Sequence, residues 1–178
     1  MLDLFLTLVD RLLDLAKTRE KGRDKWVALI TSLHKELITI HSDYLAFFER
    51  AKADLSAGTP VREVLNRLIE RRLPNEAARR TLRATFYELQ SAHFEQENQF
   101  MNYVSTVHEY MSLAGTGATC SSAATSIIDE VERRLEWGDS EADVSATFSE
   151  LLTETLRGLR GRFDDVTKEY GKVQAESV

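Results

Sequence analysis

Trp26 to Ala51 reads WVALITSLHKELITIHSDYLAFFERA, and its apolar residues fall at Trp26, Ile30, Leu33, Leu37, Ile40, Tyr44, Phe47 and Ala51. The steps alternate four and three, which places every one of these side chains on one stripe of a helix. A strand would instead require alternation with period two, and no stretch of the chain sustains it. Extended backwards, the same stripe continues in phase through Ala16, Leu12, Val9, Phe5 and Leu2, interrupted only by Arg19 and Arg23. The economical reading is one continuous helix from residue 2 to about Leu55, about 80 Å long at 1.5 Å per residue. Gly22 lies in the polar gap and is the one position where that helix is expected to hinge or break.

Punctuation further along the chain divides the rest into helices. Ala57-Gly58-Thr59-Pro60 ends the first and starts a second, with Thr59 as N-cap and Pro60 at the first helical position, where its missing N–H is harmless. Leu73-Pro74 stops that short helix. A third is expected from about Asn75 to Leu113 along Leu82, Phe86, Leu89, His93, Gln96, Phe100, Tyr103, Val107 and Tyr110. A fourth, short one spans about Thr125 to Trp137 and closes on Gly138. The fifth, capped by Ser140 or Asp139, carries Phe148, Leu152, Leu156, Leu159, Phe163, Val166, Tyr170 and Val173 in phase. The expected fold class is therefore all-α: an elongated bundle of three long helices linked by two short ones, with left-handed coiled-coil-like packing favoured by the 3.5-residue repeat. Two regions are expected within it, an amphipathic N-terminal helix at 1–22 serving interaction or assembly and a bundle domain at 23–178. Gly158 and Gly161 are expected to mark a close helix crossing.

An echo runs through the sequence at an offset of 62. Glu70-Arg71-Arg72-Leu73 matches Glu132-Arg133-Arg134-Leu135, and Ala84-Thr85-Phe86 with Glu88-Leu89 matches Ala146-Thr147-Phe148 with Glu150-Leu151. A duplicated unit of short and long helix would produce it, and so would shared helical composition.

Composition excludes several classes. The 178 residues include only 8 Gly and 2 Pro, too few for a collagenous or low-complexity chain. Cys120 is the lone cysteine, so neither a disulfide framework nor a Cys-rich zinc site can form. It sits in a small-residue connector, Ser112 to Ser126, whose Gly115-Thr116-Gly117 lacks the Gly-Lys-Ser/Thr of a phosphate loop. No basic n-region precedes the apolar N-terminus, so a signal peptide is not expected, and the cytoplasm is the expected compartment. A net charge of −6 disfavours nucleic acid as a partner.

Function is sought where the pattern exceeds what a core needs. Between residues 2 and 16 the polar side chains fall within an arc of about 100°, leaving about 200° apolar, roughly twice the width that packing on one neighbour uses. If the three long helices match in length, residues 2 to 20 overhang them by about 28 Å, and that face must be covered. The expected cover is a protein partner or a second copy, bound through Leu2, Phe5, Leu6, Val9, Leu12 and Leu13. Folding back onto the chain's own bundle is one alternative. A membrane surface is another, with residues 1–25 as an anchor supported by Lys17, Arg19, Lys21, Arg23 and Lys25.

Charge supplies a second expected contact zone. Residues 60–83 hold seven arginines and three glutamates, a net +4, whereas 128–155 hold two arginines and nine acids, a net −7. The two segments are expected to face one another within the bundle or to be solvated, and Arg71, Arg72, Arg79, Arg80 and Arg83 are the candidates for pairing instead with the carboxylates of a second copy or an acidic partner, or with phosphate.

Metal or acid–base chemistry finds less support. The Glu-x-x-His spacing of carboxylate-bridged di-metal bundles is absent. His34 and His41 lie about 10 Å apart along one face, too far to share an ion. His93 and Gln96 are read as a buried polar layer that sets helix register, and a metal or catalytic site near His93 is the alternative. No cofactor is expected, and the leading reading is a non-enzymatic interaction or assembly module.

Overall fold

The computed structural model describes residues 2–17, 23–70, 84, 88, 98–116 and 127–175. Among them the fold is all-α, with no strand. Helix α1 is Leu2–Lys17, α2 is Arg23–Ser56, α3 is 61–70, α4 is Asn98–Thr116, α5 is Ile127–Trp137 and α6 is Glu141–Ala175.

The continuous helix expected from residue 2 to Leu55 is instead two helices, and α1 packs beside α2 rather than extending it. The six steps from Lys17 to Arg23 reach at most about 22 Å, less than the roughly 24 Å length of a 16-residue helix. The chain has no room to return and run parallel, so α1 doubles back. The physical reason is burial: an apolar face of that width is stabilised more by α2 alongside it than by overhanging into water.

Helix α2 packs on both α1 and α6. Its buried residues form three heptad lines, Trp26/Leu33/Ile40, Ile30/Leu37/Tyr44/Ala51 and His34/His41/Phe48/Leu55. Three adjacent lines make a face wide enough for more than one neighbour. Ring contacts give the directions. His34 meets Tyr103 while His41 meets Tyr110, so α2 and α4 run parallel. His34 stacks on Tyr170 while His41 stacks on Phe163, so α6 runs antiparallel to both. The expected stripes are the buried ones: Phe100, Tyr103, Val107 and Tyr110 on α4, and Phe148, Leu152, Leu156, Leu159, Val166 and Val173 on α6.

Helix ends follow the local signals closely. Gly58 has φ +83° and Gly138 φ +78°, the left-handed conformation that terminates helices at low cost only for glycine. Beyond Gly138, the Asp139 N–H donates to the Arg134 carbonyl at 3.2 Å, satisfying an end carbonyl of α5. Of the two candidate caps for α6, Ser140 takes the role. Its Oγ accepts the Asp143 N–H at 3.2 Å and donates to the Asp143 carboxylate at 2.6 Å. At α3 the Pro60 carbonyl accepts the first intrahelical bonds, so the N-cap position expected at Thr59 falls one residue later, and the Val61 N–H donates to Glu141 Oε1 at 3.4 Å. A carboxylate from the first turn of α6 therefore caps α3, holding the two helix starts together.

Of the two glycines expected to mark a close crossing, Gly158 is half-buried and Gly161 makes none. Gly161 is exposed, and a Cβ added there meets nothing within 4 Å, as at Gly171. Both lie inside α6 with ample room, so only the entropic cost of glycine remains. Gly161→Ala and Gly171→Ala should each stabilise the protein by about 0.5–1 kcal/mol, measured as a higher urea midpoint with an unchanged slope.

Thr155 on α6 is 2% exposed and its hydroxyl has no hydrogen-bond partner. A buried donor left unmade costs about 1–3 kcal/mol, so Thr155→Val, which keeps the shape and removes the hydroxyl, should raise stability by about 1 kcal/mol in the same measurement.

Candidate functional site

Two features stand apart from ordinary core packing: the docked N-terminal helix and a ladder of histidines and tyrosines inside the bundle. On α1 the inner stripe is Phe5, Val9 and Leu12, all fully buried, flanked by Leu8 and Leu13. Leu6 is half-buried, and Leu4, at the outer edge of the apolar arc, is 52% exposed. The chain itself thus covers the face expected to await a partner, and Phe5, Val9, Leu12 and Leu13 are open to another molecule only when α1 leaves its seat. The side chain of Leu2 lies outside the described residues, as do Arg71, Arg72, Arg79, Arg80 and Arg83 and the layer expected at His93 and Gln96. The first copy of the echo falls there too, apart from Glu70, Ala84 and Glu88. These are helical and exposed, like their counterparts Glu132, Ala146 and Glu150.

The polar layer that the described residues do contain is at His34 and His41, 5% and 9% exposed. His41 Nδ1 lies 3.0 Å from the Tyr110 hydroxyl, and His34 Nδ1 lies 3.3 Å from that of Tyr103. Each imidazole also stacks flat on a ring of α6. His34 and Tyr170 have centroids 3.9 Å apart at 11°, and His41 and Phe163 are 3.9 Å apart at 4°. Burial pushes both tyrosine hydroxyls far above their ordinary pKa, Tyr170 adding to the effect at Tyr103 and Tyr44 at Tyr110. Both phenols therefore keep their protons. Burial pulls both histidines down, with Asp164 opposing and Arg160 reinforcing the shift at His41. Neutral imidazoles accept at Nδ1 and the phenols donate, which satisfies both Nδ1–hydroxyl contacts with no buried charge.

A signal for this ladder was present in the sequence. His34/His41, Tyr103/Tyr110 and Phe163/Tyr170 are each seven residues apart, so three helices carry a matched pair at the same repeat. Register between helices is what such layers fix, because a one-turn slip would strand two hydroxyls and two imidazoles without partners. A half-buried cluster extends the ladder: the Gln174 amide donates to Thr31 Oγ1 at 3.0 Å, and Thr31 donates to the Val27 carbonyl at 2.8 Å.

Elsewhere, a groove of about 460 Å³ lies between α2 and α3. Ala51, Val64 and Leu68 give it apolar walls and Arg50 stands in its lining, while Arg67 bridges Asp54 at 2.5 Å and Glu63 at 2.6 Å. Charges on α5 also pair locally, Arg134 with Glu130 at 2.9 Å and with Asp139 at 3.3 Å. Trp137 at the end of α5 is 69% exposed, with the Arg133 guanidinium 4.6 Å above its ring.

Among the described residues no group of three or more His, Cys, Asp or Glu comes together as a metal-binding set. No described helix is long and apolar enough to cross a membrane. Compared with known proteins, the chain matches no family model, no curated protein and no solved structure.

Proposed function

We propose that this protein is a non-enzymatic helical interaction and assembly module, and that α1 is its exchangeable docking element. The observation that carries this reading is the placement of α1. It is a separate amphipathic helix that, among the described residues, packs chiefly on α2, its inner stripe fully buried and the edge of its apolar arc still exposed at Leu4. An isolated helix of 16 residues is marginal in water, so α1 depends on its seat for order. A seat that accepts Phe5, Val9 and Leu12 accepts any helix presenting the same stripe. The seven arginines of the sequence 60–83 are a second candidate contact, with a side-chain chemistry suited to carboxylates of a partner.

A competition experiment tests the reading. A labelled peptide of residues 1–17 is titrated into the full chain and into a full-length Leu12→Asp variant, whose own α1 is held off by a charge that cannot be buried. Saturable binding is expected to both, tighter to the variant because the tethered competitor is gone. A peptide carrying Leu12→Asp should bind neither. If the unmodified peptide binds neither protein, α1 is a fixed part of the core and the reading fails.

A further inference from the structure

We propose that the partner for this exchange is a second copy of the chain: α1 and α2 become one continuous helix, and each copy's α1 seats on the other's α2. The inference rests on the reading of α1 as an exchangeable element and adds the identity of its partner. It joins two observations that otherwise conflict. The stripe from Leu2 to Ala51 keeps its phase through residues 18–22, as a straight helix requires, yet α1 doubles back and packs beside α2.

A helical hairpin does not need that phase, since two helices separated by a turn can each face the core at any rotation. A straight helix with the stripe in phase on both sides of Arg19 and Arg23 presents α1 and the first half of α2 on one side. Two such helices related by a two-fold axis pair antiparallel, which restores the same α1–α2 contacts between copies. Phe5, Val9 and Leu12 are fully buried in one arrangement and would be equally buried in the other. The balance between them is therefore set by the residues at the crossing.

Those residues are basic. Positions 17–25 hold Lys17, Arg19, Lys21, Arg23 and Lys25 against Glu20 and Asp24, a net +3. The two-fold axis of the exchanged pair falls near residue 20, so it brings two such segments together, with Arg19 and Arg23 on the stripe itself. Like charges at that range repel when the Debye length is long and much less when salt shortens it. Gly22 adds a second brake, because glycine in a helix interior is worth about 1 kcal/mol against alanine, about fivefold per copy. The chain is thus a monomer at low ionic strength that dimerises as its basic crossing is screened.

The test uses the full chain at about 0.05 M and about 0.5 M NaCl, where the Debye length falls from about 14 Å to about 4 Å. Sedimentation velocity should show at least a tenfold gain in dimerisation constant at the higher salt. Gly22→Ala should raise that constant at both salts, and Arg19→Leu/Arg23→Leu should give dimer already at low salt. Mixing light and isotopically heavy chains at high salt and cross-linking them should join light α1 to heavy α2. A chain that stays monomeric in both variants and at both salts overturns the proposal. So does a dimer whose α1–α2 cross-links never mix isotopes. In either case, peptide binding in the competition experiment would leave the docking role of α1 intact, with a partner other than this chain.

Discussion

Leu12→Ala should lower the free energy of unfolding by about 2–5 kcal/mol, the range for deleting a fully buried leucine side chain, and Phe5→Ala should cost about 3–5 kcal/mol by the same mechanism. Leu4→Ala, on the same helix at a site 52% exposed, should change stability by less than about 0.5 kcal/mol. These values separate two states of α1. A face left open in the lone chain would make all three substitutions nearly silent, because the side chains would be in water before and after unfolding. A docked face gives the spread. The double variant Phe5→Ala/Leu12→Ala carries additional information. Once the loss equals the free energy that holds α1 on α2, the helix undocks and further truncation costs nothing more, so the double variant falls short of the sum. Urea unfolding measures the losses, and the size of the shortfall measures how close α1 is to leaving its seat.

His41→Ala should cost about 3–5 kcal/mol, since it removes a stacked ring and leaves the Tyr110 hydroxyl buried without an acceptor. The paired change His41→Phe/Tyr110→Phe removes both polar groups together and keeps a ring against Phe163. It should stay within about 1.5 kcal/mol of the parent at neutral pH.

The same pair decides the response to acid. Burial holds the histidines below their ordinary pKa of 6.5 in the folded state. The unfolded chain therefore binds protons first as pH falls, and stability rises with pH across that window. The ladder's contribution is complete above about pH 6.5 and is lost as pH drops through 6.5 toward the lowered folded value. Unfolding free energies measured from pH 7.5 to 5 should decline along this course. The decline should be shallower in His41→Phe/Tyr110→Phe and shallowest when His34→Phe/Tyr103→Phe is added. A slope unchanged by all four substitutions would mean that the carboxylates, and not the ladder, set the acid response.

Several elements were legible from local chemistry. Gly58, Gly138 and Ser140 end or begin helices because the groups they satisfy lie within a turn of them, so no tertiary information is needed. The stripes on α2, α4 and α6 were legible because period 3.6 is a property of the chain alone. The ladder was written in the spacing, with three pairs each seven apart, but which histidine meets which tyrosine depends on the parallel run of α2 and α4. No local signal fixes that direction. The crossing expected at Gly161 failed for a related reason: a small residue permits close approach without causing it.

What the sequence determined by itself is a set of amphipathic helices, their ends, and which face of each must leave water. It could do so because hydrogen bonding and hydrophobic periodicity act within a few residues. What only the tertiary structure decided is what covers those faces. Leu2 to Ala51 encodes one stripe kept in phase and interrupted only at Arg19 and Arg23, equally consistent with a straight helix beside a partner and with a hairpin. The hairpin forms because α2, tethered a few residues away, meets the apolar face of α1 at a high effective concentration, which a second molecule has to overcome.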